Sequence, residues 1–408
     1  IWNEGNSVVL IDVQMPDKAA IKLLKEAGTD RCFIEESKAD AYPEIRAEIN
    51  TILYRSNNTQ AEYLPDYIYD KFKKNYSHSE AVVLYSSGTT GNSKGIILSH
   101  YAINTNADFI ADYMQLKETD CMYIAKKISH SSALIGELLV ALKTGTKLII
   151  APTIMPPRYV LDKIGKFSVT HICLNPWLLS MYTDEYERNT YNILSLKKIY
   201  VSGSILTDRI YEKAHRIFGE KEIYNMYGLS EAGPRVTAQR IDCCKSNSVG
   251  KAIRGVQIVL VDDTGKSVAN GKRGIVHVNT PSRFSGYISG KPKFNSLYNE
   301  WINTGDVGYI DENGELHIVN RLDDVIINDS HKVYPHDIEK TIMENTDITE
   351  CVVVNAEVKG QQLLCCLFVG NSELRNGIIP KLKSKLLAYE IPKVFICCDK
   401  LTRTSNGK

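Results

Sequence analysis

The segment Tyr85-Ser86-Ser87-Gly88-Thr89-Thr90-Gly91-Asn92-Ser93-Lys94-Gly95 places three glycines, five Ser or Thr hydroxyls and one lysine within eleven positions. Glycine admits positive φ and close backbone approach to a ligand, while hydroxyls and an ammonium donate to an anion. The chemistry that this combination serves is polyphosphate binding. A flexible linker has a similar composition. Here, however, the apolar run Ala81-Val82-Val83-Leu84 enters directly, and a helix-like pattern from Ile96 to Leu116 leaves directly. The reading is strand, loop, helix. The familiar phosphate loop has four residues after its first glycine and ends Gly-Lys-Ser/Thr; here two residues separate Gly88 from Gly91, and Gly95 follows Lys94.

Four other constellations carry potential chemistry. Asn225-Met226-Tyr227-Gly228-Leu229-Ser230-Glu231-Ala232-Gly233-Pro234 joins an aromatic ring, which can stack on a base, to a carboxylate able to hold Mg²⁺ against phosphates. Alone, it also reads as a polar turn with a core tyrosine. Trp301-Ile302-Asn303-Thr304-Gly305-Asp306 puts an aspartate after a glycine turn, where a short carboxylate binds ribose hydroxyls or simply forms the turn. Asn320-Arg321-Leu322-Asp323-Asp324 marks a change of composition, as a solvated linker does. Lys408 ends a polar tail that by default would fray.

The elements that must position these residues alternate. Short β-rich runs (7–13, 31–34, 121–125, 147–150, 170–174, 198–201, 222–224) alternate with helical patterns (19–26, 131–142, 157–167, 207–218), which predicts a mostly parallel sheet covered by helices. From about Val236 the rhythm changes to short strands separated by Gly, Asn and Asp turns (256–261, 274–278, 308–310, 315–319), as in a small barrel or antiparallel sheet. Past Arg321, strands 325–327, 350–354, 363–369 and 393–398 and helices 336–345 and 374–387 form a small α+β unit. The stretch 35–63 gives no clear pattern.

Composition limits the function classes. At 408 residues, 43% hydrophobic and 24% charged, the chain has a globular profile with room for more than one domain. A net charge of +1 gives no field for a nucleic acid partner. No apolar run approaches the ~18 residues of a membrane span. The ten cysteines form no Cys-x-x-Cys pair and sit mostly in apolar runs, so buried free thiols and a cytoplasmic location are expected. The nine histidines have no ligand spacing.

The glycine-rich loop resembles, almost letter for letter, the phosphate loop of the adenylate-forming superfamily of acyl-CoA synthetases, aryl-acid ligases and peptide-synthetase adenylation domains. Tyr227 to Glu231 is similar to that superfamily's Tyr-Gly-x-Ser/Thr-Glu motif, Trp301 to Asp306 to Trp-x-x-Thr-Gly-Asp, Arg321 to Asp324 to Gly-Arg-x-Asp-Asp, and the tail to Pro-x-Thr-x-x-Gly-Lys. Departures are Asn320 for the leading glycine, Ile327 for a following lysine, Ser330 for a glycine beside the thiol tunnel, and Thr402 for the proline. The matches run in family order along the chain, and the family carries a longer segment before its loop, which implies a chain naturally short or truncated.

The resemblance implies an N-terminal adenylate-forming core over 1–321, of αβ-layered subdomains plus a β-rich subdomain, and a mobile C-terminal α+β domain over 322–408 hinged at Asp323. It implies AMP-forming acid–thiol ligase activity: a carboxylic acid attacks ATP with Mg²⁺ present, giving acyl-AMP and pyrophosphate, and a pantetheine thiol of CoA or of a phosphopantetheinylated carrier protein then displaces AMP. Ser86, Ser87, Gly88, Thr89, Thr90, Gly91, Lys94, Ser204, Asn225, Tyr227, Gly228, Ser230, Asp306 and Arg321 would bind the nucleotide, and Glu231 the magnesium. Lys408, Lys94, Thr89 and Glu231 would carry catalysis. His130, Asn175, Ser202, Gly203, Gly228, Gly233 and Pro234 would line the acid pocket. Amino-acid-activating relatives carry an aspartate for the substrate ammonium; aligning Glu137 with their helix puts Ser132 there, so an aryl or medium acyl acid is favoured over an amino acid. A catalytically silent relative would lack Glu231, Asp306 or Lys408, and all are present.

Overall fold

Alternating strand and helix segments build one long sheet with helices on both faces of its parallel half. The computed structural model describes residues 7–54, 79–85, 94–151, 155–240, 248–288, 300–328, 331–358 and 361–401. Five strands, Lys147–Ile150, Cys121–Ile124, His171–Leu174, Lys198–Val201 and Glu222–Gly228, lie side by side in that order and are all parallel. Strand Arg235–Arg240 then pairs antiparallel with Glu222–Gly228. It continues the sheet through Ser248–Ala252, Leu316–Arg321, Ile302–Ile310, Gly274–Asn279 and Gln257–Val261. The expected β-rich unit is therefore the antiparallel half of a single eleven-stranded sheet.

Alternation along the parallel strands supplies both cores. Ile172, Leu174, Ile199 and Val201 face a cluster formed with helices Pro157–Lys166, Pro176–Arg188 and Asp208–Phe218. Their neighbours Cys173 and Tyr200 face the opposite cluster, which holds the helix His100–Met114 and a second, four-stranded sheet. Residues two apart share a face of a strand. Each fully buried aliphatic side chain contributes about 1.5–3 kcal/mol, so covering both faces fixes the register.

The strand-loop-helix reading of the glycine-rich segment is corrected. Gly95–Ser99 is a strand, antiparallel to Glu80–Tyr85 with Tyr85 opposite Gly95 and Leu84 opposite Ile96. Ile96 and Leu98 are fully buried in the sheet core. β-Branched Ile96 and Ile97 suit a pleated surface, and the helix starts only where Ser99 caps it, its Oγ accepting from Ala102 N at 3.1 Å. Helix 131–142 forms as Ser131–Ala133, a π-helical stretch Leu134–Leu139 and Val140–Thr144. The expected helix 374–387 is shorter, Arg375–Leu382, with Pro380 inside it. Helix Pro176–Arg188 had no sequence expectation.

The C-terminal segment has its own core. Ile338 and Ile342 of helix Pro335–Asn345 pack on Val353, Leu364, Cys366, Phe368 and Phe395 of the sheet Glu350–Val358, Gln361–Val369, Val394–Cys398. The described cysteines are free, and five of them are buried. Cys397 is exposed, against expectation, where the last strand runs out past the core residue Phe395. No described helix is long and apolar enough to cross a membrane.

Candidate active site

Parallel strands present their carboxyl ends at one edge, where ligands bind in open α/β sheets. Here Lys126 to His130 follow Cys121–Ile124, Asn175 follows His171–Leu174, Ser202 to Ser204 follow Lys198–Val201, and Gly228 to Glu231 follow Tyr227. The sequence-predicted pocket residues thus come from four neighbouring strand ends. Asn175 caps its helix, its Oδ1 accepting from Leu178 N at 2.7 Å. Gly203, at φ +102°, stands over the Asn175 side chain. Ser202 N donates to Leu174 O at 3.0 Å, continuing the ladder into the pocket wall. Ser204 is exposed beside it. His130 precedes the next helix, and its carbonyl accepts from Ala133 N and Leu134 N.

Tyr227, Asp306 and Arg321 meet. Asp306 and Arg321 are opposite partners across strands Ile302–Ile310 and Leu316–Arg321. Arg321 Nη1 lies 3.1 Å from Asp306 Oδ1, and the Tyr227 hydroxyl donates to Asp306 Oδ2. The aspartate is 4% exposed, whereas more than half of the Arg321 side chain faces solvent. Burial and the Asp306 carboxylate push the Tyr227 phenol well up, so at neutral pH it remains a donor. Gly305, at φ +71°, turns the strand so that Asp306 N reaches Thr304 Oγ1 at 3.1 Å.

Glu231 is half-buried in a one-turn 3₁₀ segment, Ser230–Ala232. Its Oε1 accepts from the Tyr287 hydroxyl at 2.9 Å, and Lys94 Nζ lies 5.5 Å from the Tyr287 ring centroid. Tyr287 pairs with Ile96 in the four-stranded sheet, so the Lys94 strand and the Glu231 turn share this one aromatic side chain. Sequence reasoning missed Tyr287; an aromatic after Gly286 gives no distinctive signal.

Two glycines are required by packing. A Cβ on Gly228 would stand 2.0 Å from Pro234 O, and one on Gly233, at φ +92°, would stand 2.4 Å from Ser282 O. The Gly233-Pro234 peptide is cis. Ser230 Oγ lies 2.8 Å from Ser131 Oγ, joining the motif to the helix after His130. Asn225 is buried, and its Nδ2 donates to Ser248 O at 2.8 Å, bracing the strand that carries Tyr227. Asp323 sits exposed in the one-turn segment Leu322–Asp324. Ser86, Ser87, Gly88, Thr89, Thr90, Gly91 and Lys408 lie outside the described residues.

The histidines lack ligand spacing in sequence, yet Asp311, Glu315 and His317 converge at one turn. Asp311 Oδ1 accepts from Asn313 N and Glu315 N, Oδ2 lies 3.2 Å from His317 Nε2, and Glu315 accepts from Gln239. These bonds account for the cluster as a hairpin brace.

A large α/β domain built on one long sheet is followed by a small α+β unit, an architecture shared with solved adenylate-forming enzymes. Residues 1–288 match the family model of the AMP-binding enzyme and residues 337–408 that of the AMP-binding enzyme C-terminal domain; the chain belongs to this family, within the adenylate-forming superfamily. It is 26% identical over 338 residues to an indoleacetate–CoA ligase of Aromatoleum aromaticum, covering 80% of this chain and 65% of that one. It is 25% identical over 427 residues to a fatty acid–[acyl-carrier-protein] ligase of Streptomyces coeruleorubidus, covering 99% and 80%. The solved structure of ATP-bound MatB from Rhodopseudomonas palustris superposes with a TM-score of 0.86 at 22% identity, over 99% of this chain and 82% of that one. The chain spans 60–65% of the length of several curated relatives it matches.

Proposed function

We propose that this protein activates a carboxylic acid with ATP and Mg²⁺, forming acyl-AMP and pyrophosphate, and then passes the acyl group to the thiol of CoA. The observation that carries the reading is the convergence of Tyr227 and Arg321 on the buried Asp306, beside the strand end that leads through Gly228 to Glu231. Asp306 accepts two donors here and would exchange them for ribose hydroxyls. The Tyr227 ring would pack on the base, above a Gly228 that has no room for a side chain. Glu231 suits Mg²⁺, which takes one or two carboxylates plus phosphate oxygens; Tyr287 orients its Oε1. When bound, the ion neutralises phosphate charge.

The chain's own residues do the rest. Lys94, with Ser86, Ser87, Thr89 and Thr90, would hold the phosphates, and Lys408 would stabilise charge developing between the acid and the α-phosphate. His130, Asn175, Ser202, Gly203, Gly233 and Pro234 would bound an acid of aryl or medium acyl size. In this reading the core is 1–321, and 322–408 swings about Asp323 to withdraw Lys408 before thiol attack. A carrier protein presents the same phosphopantetheine arm as CoA, and the likeness to a carrier-protein ligase supports it as a second acceptor.

Pyrophosphate release with hydroxylamine trapping, across benzoic, cinnamic, fatty and amino acids, tests the reading. One acid class should drive ATP-dependent release, and Lys408→Ala should cut it by about 10²–10³-fold. If no acid works while ATP still binds, a catalytically silent nucleotide-binding relative is the better description.

A further inference from the structure

The adenylation reading leaves three charged side chains beside the pocket unused, two of them buried. Glu137 is fully buried in the π-helical stretch Leu134–Leu139, and Arg235 is 2% exposed at the start of strand Arg235–Arg240. Lys126 follows strand Cys121–Ile124; its Nζ lies 2.8 Å from Glu137 Oε1 and donates to Ser132 Oγ at 3.3 Å. Arg235 lies against Gly136, where a Cβ would stand 3.4 Å from Nη2. The Tyr113 phenol is within hydrogen-bond reach of the guanidinium and donates onward to Met226 Sδ. Among the described residues, Arg235 Nε and Nη2 and Glu137 Oε2 have no hydrogen-bond partner.

This cluster is electrostatically incomplete. Two cations and one carboxylate sum to +1, and to +2 when Glu137 is protonated, toward which its burial pushes it against the pull of Lys126 and Arg235. Two guanidinium nitrogens buried without acceptors are costly, and buried charges are ordinarily paired. The backbone of Arg235 is clamped: its N donates to Asn106 Oδ1 at 2.9 Å, and Asn106 Nδ2 donates to its carbonyl at 3.1 Å. The cation is held in place with two donor nitrogens unused.

Its location points to the acyl end of the acid pocket. Arg235 follows Pro234 and stands opposite Gly228 across the strand pair. Glu137 is on the helix that His130 precedes, and that helix is joined to the Glu231 turn by the Ser131–Ser230 contact. We propose that Arg235 and Lys126 form a subsite for a second carboxylate, so that the substrate is a dicarboxylic acid, activated at one end and held at the other. This rests on the adenylation reading for the reacting end only.

Calorimetric binding of matched pairs, glutarate against pentanoate, adipate against hexanoate and isophthalate against benzoate, with a non-hydrolysable ATP analogue present, tests it without turnover. At least one dicarboxylate should bind tenfold or more tighter than its partner. Arg235→Met should abolish that preference, while Glu137→Gln, which removes the competing negative charge, should keep or strengthen it. Equal binding of every pair to the wild type overturns the proposal, and so does a Glu137→Gln variant that loses the preference as Arg235→Met does. If a dicarboxylate binds selectively yet releases no pyrophosphate, the subsite stands and the ligase reading falls.

Discussion

In the nucleotide site proposed above, Asp306 is the central residue, because one buried carboxylate accepts from both Tyr227 and Arg321. Hydrogen bonds to a charged acceptor contribute about 1.5–3 kcal/mol each. Asp306→Asn keeps the size but removes the charge and turns one acceptor into a donor facing Arg321. AMP affinity, read by calorimetry, should fall about 10- to 100-fold. Tyr227→Phe retains the ring and loses only the hydroxyl, so its loss should be smaller than that of Asp306→Asn. Wild-type affinity in Asp306→Asn would remove the aspartate from the site. The motif residues were legible in sequence because each carries its chemistry within a few positions: Tyr227 with Glu231, Asp306 after Gly305. Arg235 was not, although a lone arginine between Pro234 and Val236 in an apolar run is the kind of signal that marks a buried charge.

At the scale of elements, the parallel strands were readable from their short apolar runs and the helices between them from their periodicity. The hairpin at Gly95–Ser99 was not, since a β-branched run joined to a helix shows no break in hydrophobicity, and only the Ser99 cap divides them. Helix Pro176–Arg188 was missed because Pro176 reads as a breaker, whereas at a first helical position its missing N–H costs nothing. The strand His171–Leu174 has its own consequence. His171 is 2% exposed, stacks on Tyr200, and has Thr170 Oγ1 at 2.7 Å from Nδ1. Burial lowers its pKa to about 4 despite nearby Asp120. Between the usual value near 6.5 and about 4, the unfolded chain binds a proton that the folded one does not, so stability falls as pH falls through that window. The contribution approaches about 3 kcal/mol at the acid end. Urea denaturation at pH 7 and pH 5 should show a loss in the wild type that is smaller in His171→Gln. Equal losses in both would assign the acid sensitivity to other groups.

Across the whole molecule, the C-terminal unit is fastened to the large domain by ions at its surface. Arg273 meets Asp337 at 2.8 Å, Lys340 meets Asp208 at 2.7 Å, and Lys332 pairs with Asp263. In each pair one partner lies before the Arg321 boundary and the other after it. Such exposed pairs contribute about 0–1 kcal/mol apiece, little for folding. If 322–408 swings as proposed, its orientations would differ by only a few kcal/mol, and three pairs acting together would be enough to decide between them. They are also screened: the Debye length falls from about 10 Å at 0.1 M salt to about 3 Å at 1 M. Small-angle scattering of the ligand-free protein should therefore show the radius of gyration rising between 0.05 and 1 M NaCl. Arg273→Ala combined with Lys340→Ala should show the larger radius already at low salt, with the thermal midpoint little changed because neither domain core is touched. A salt-independent profile in both proteins would mean that apolar contacts fix the orientation, and the proposed swing about Asp323 would then have to be driven by ligand alone.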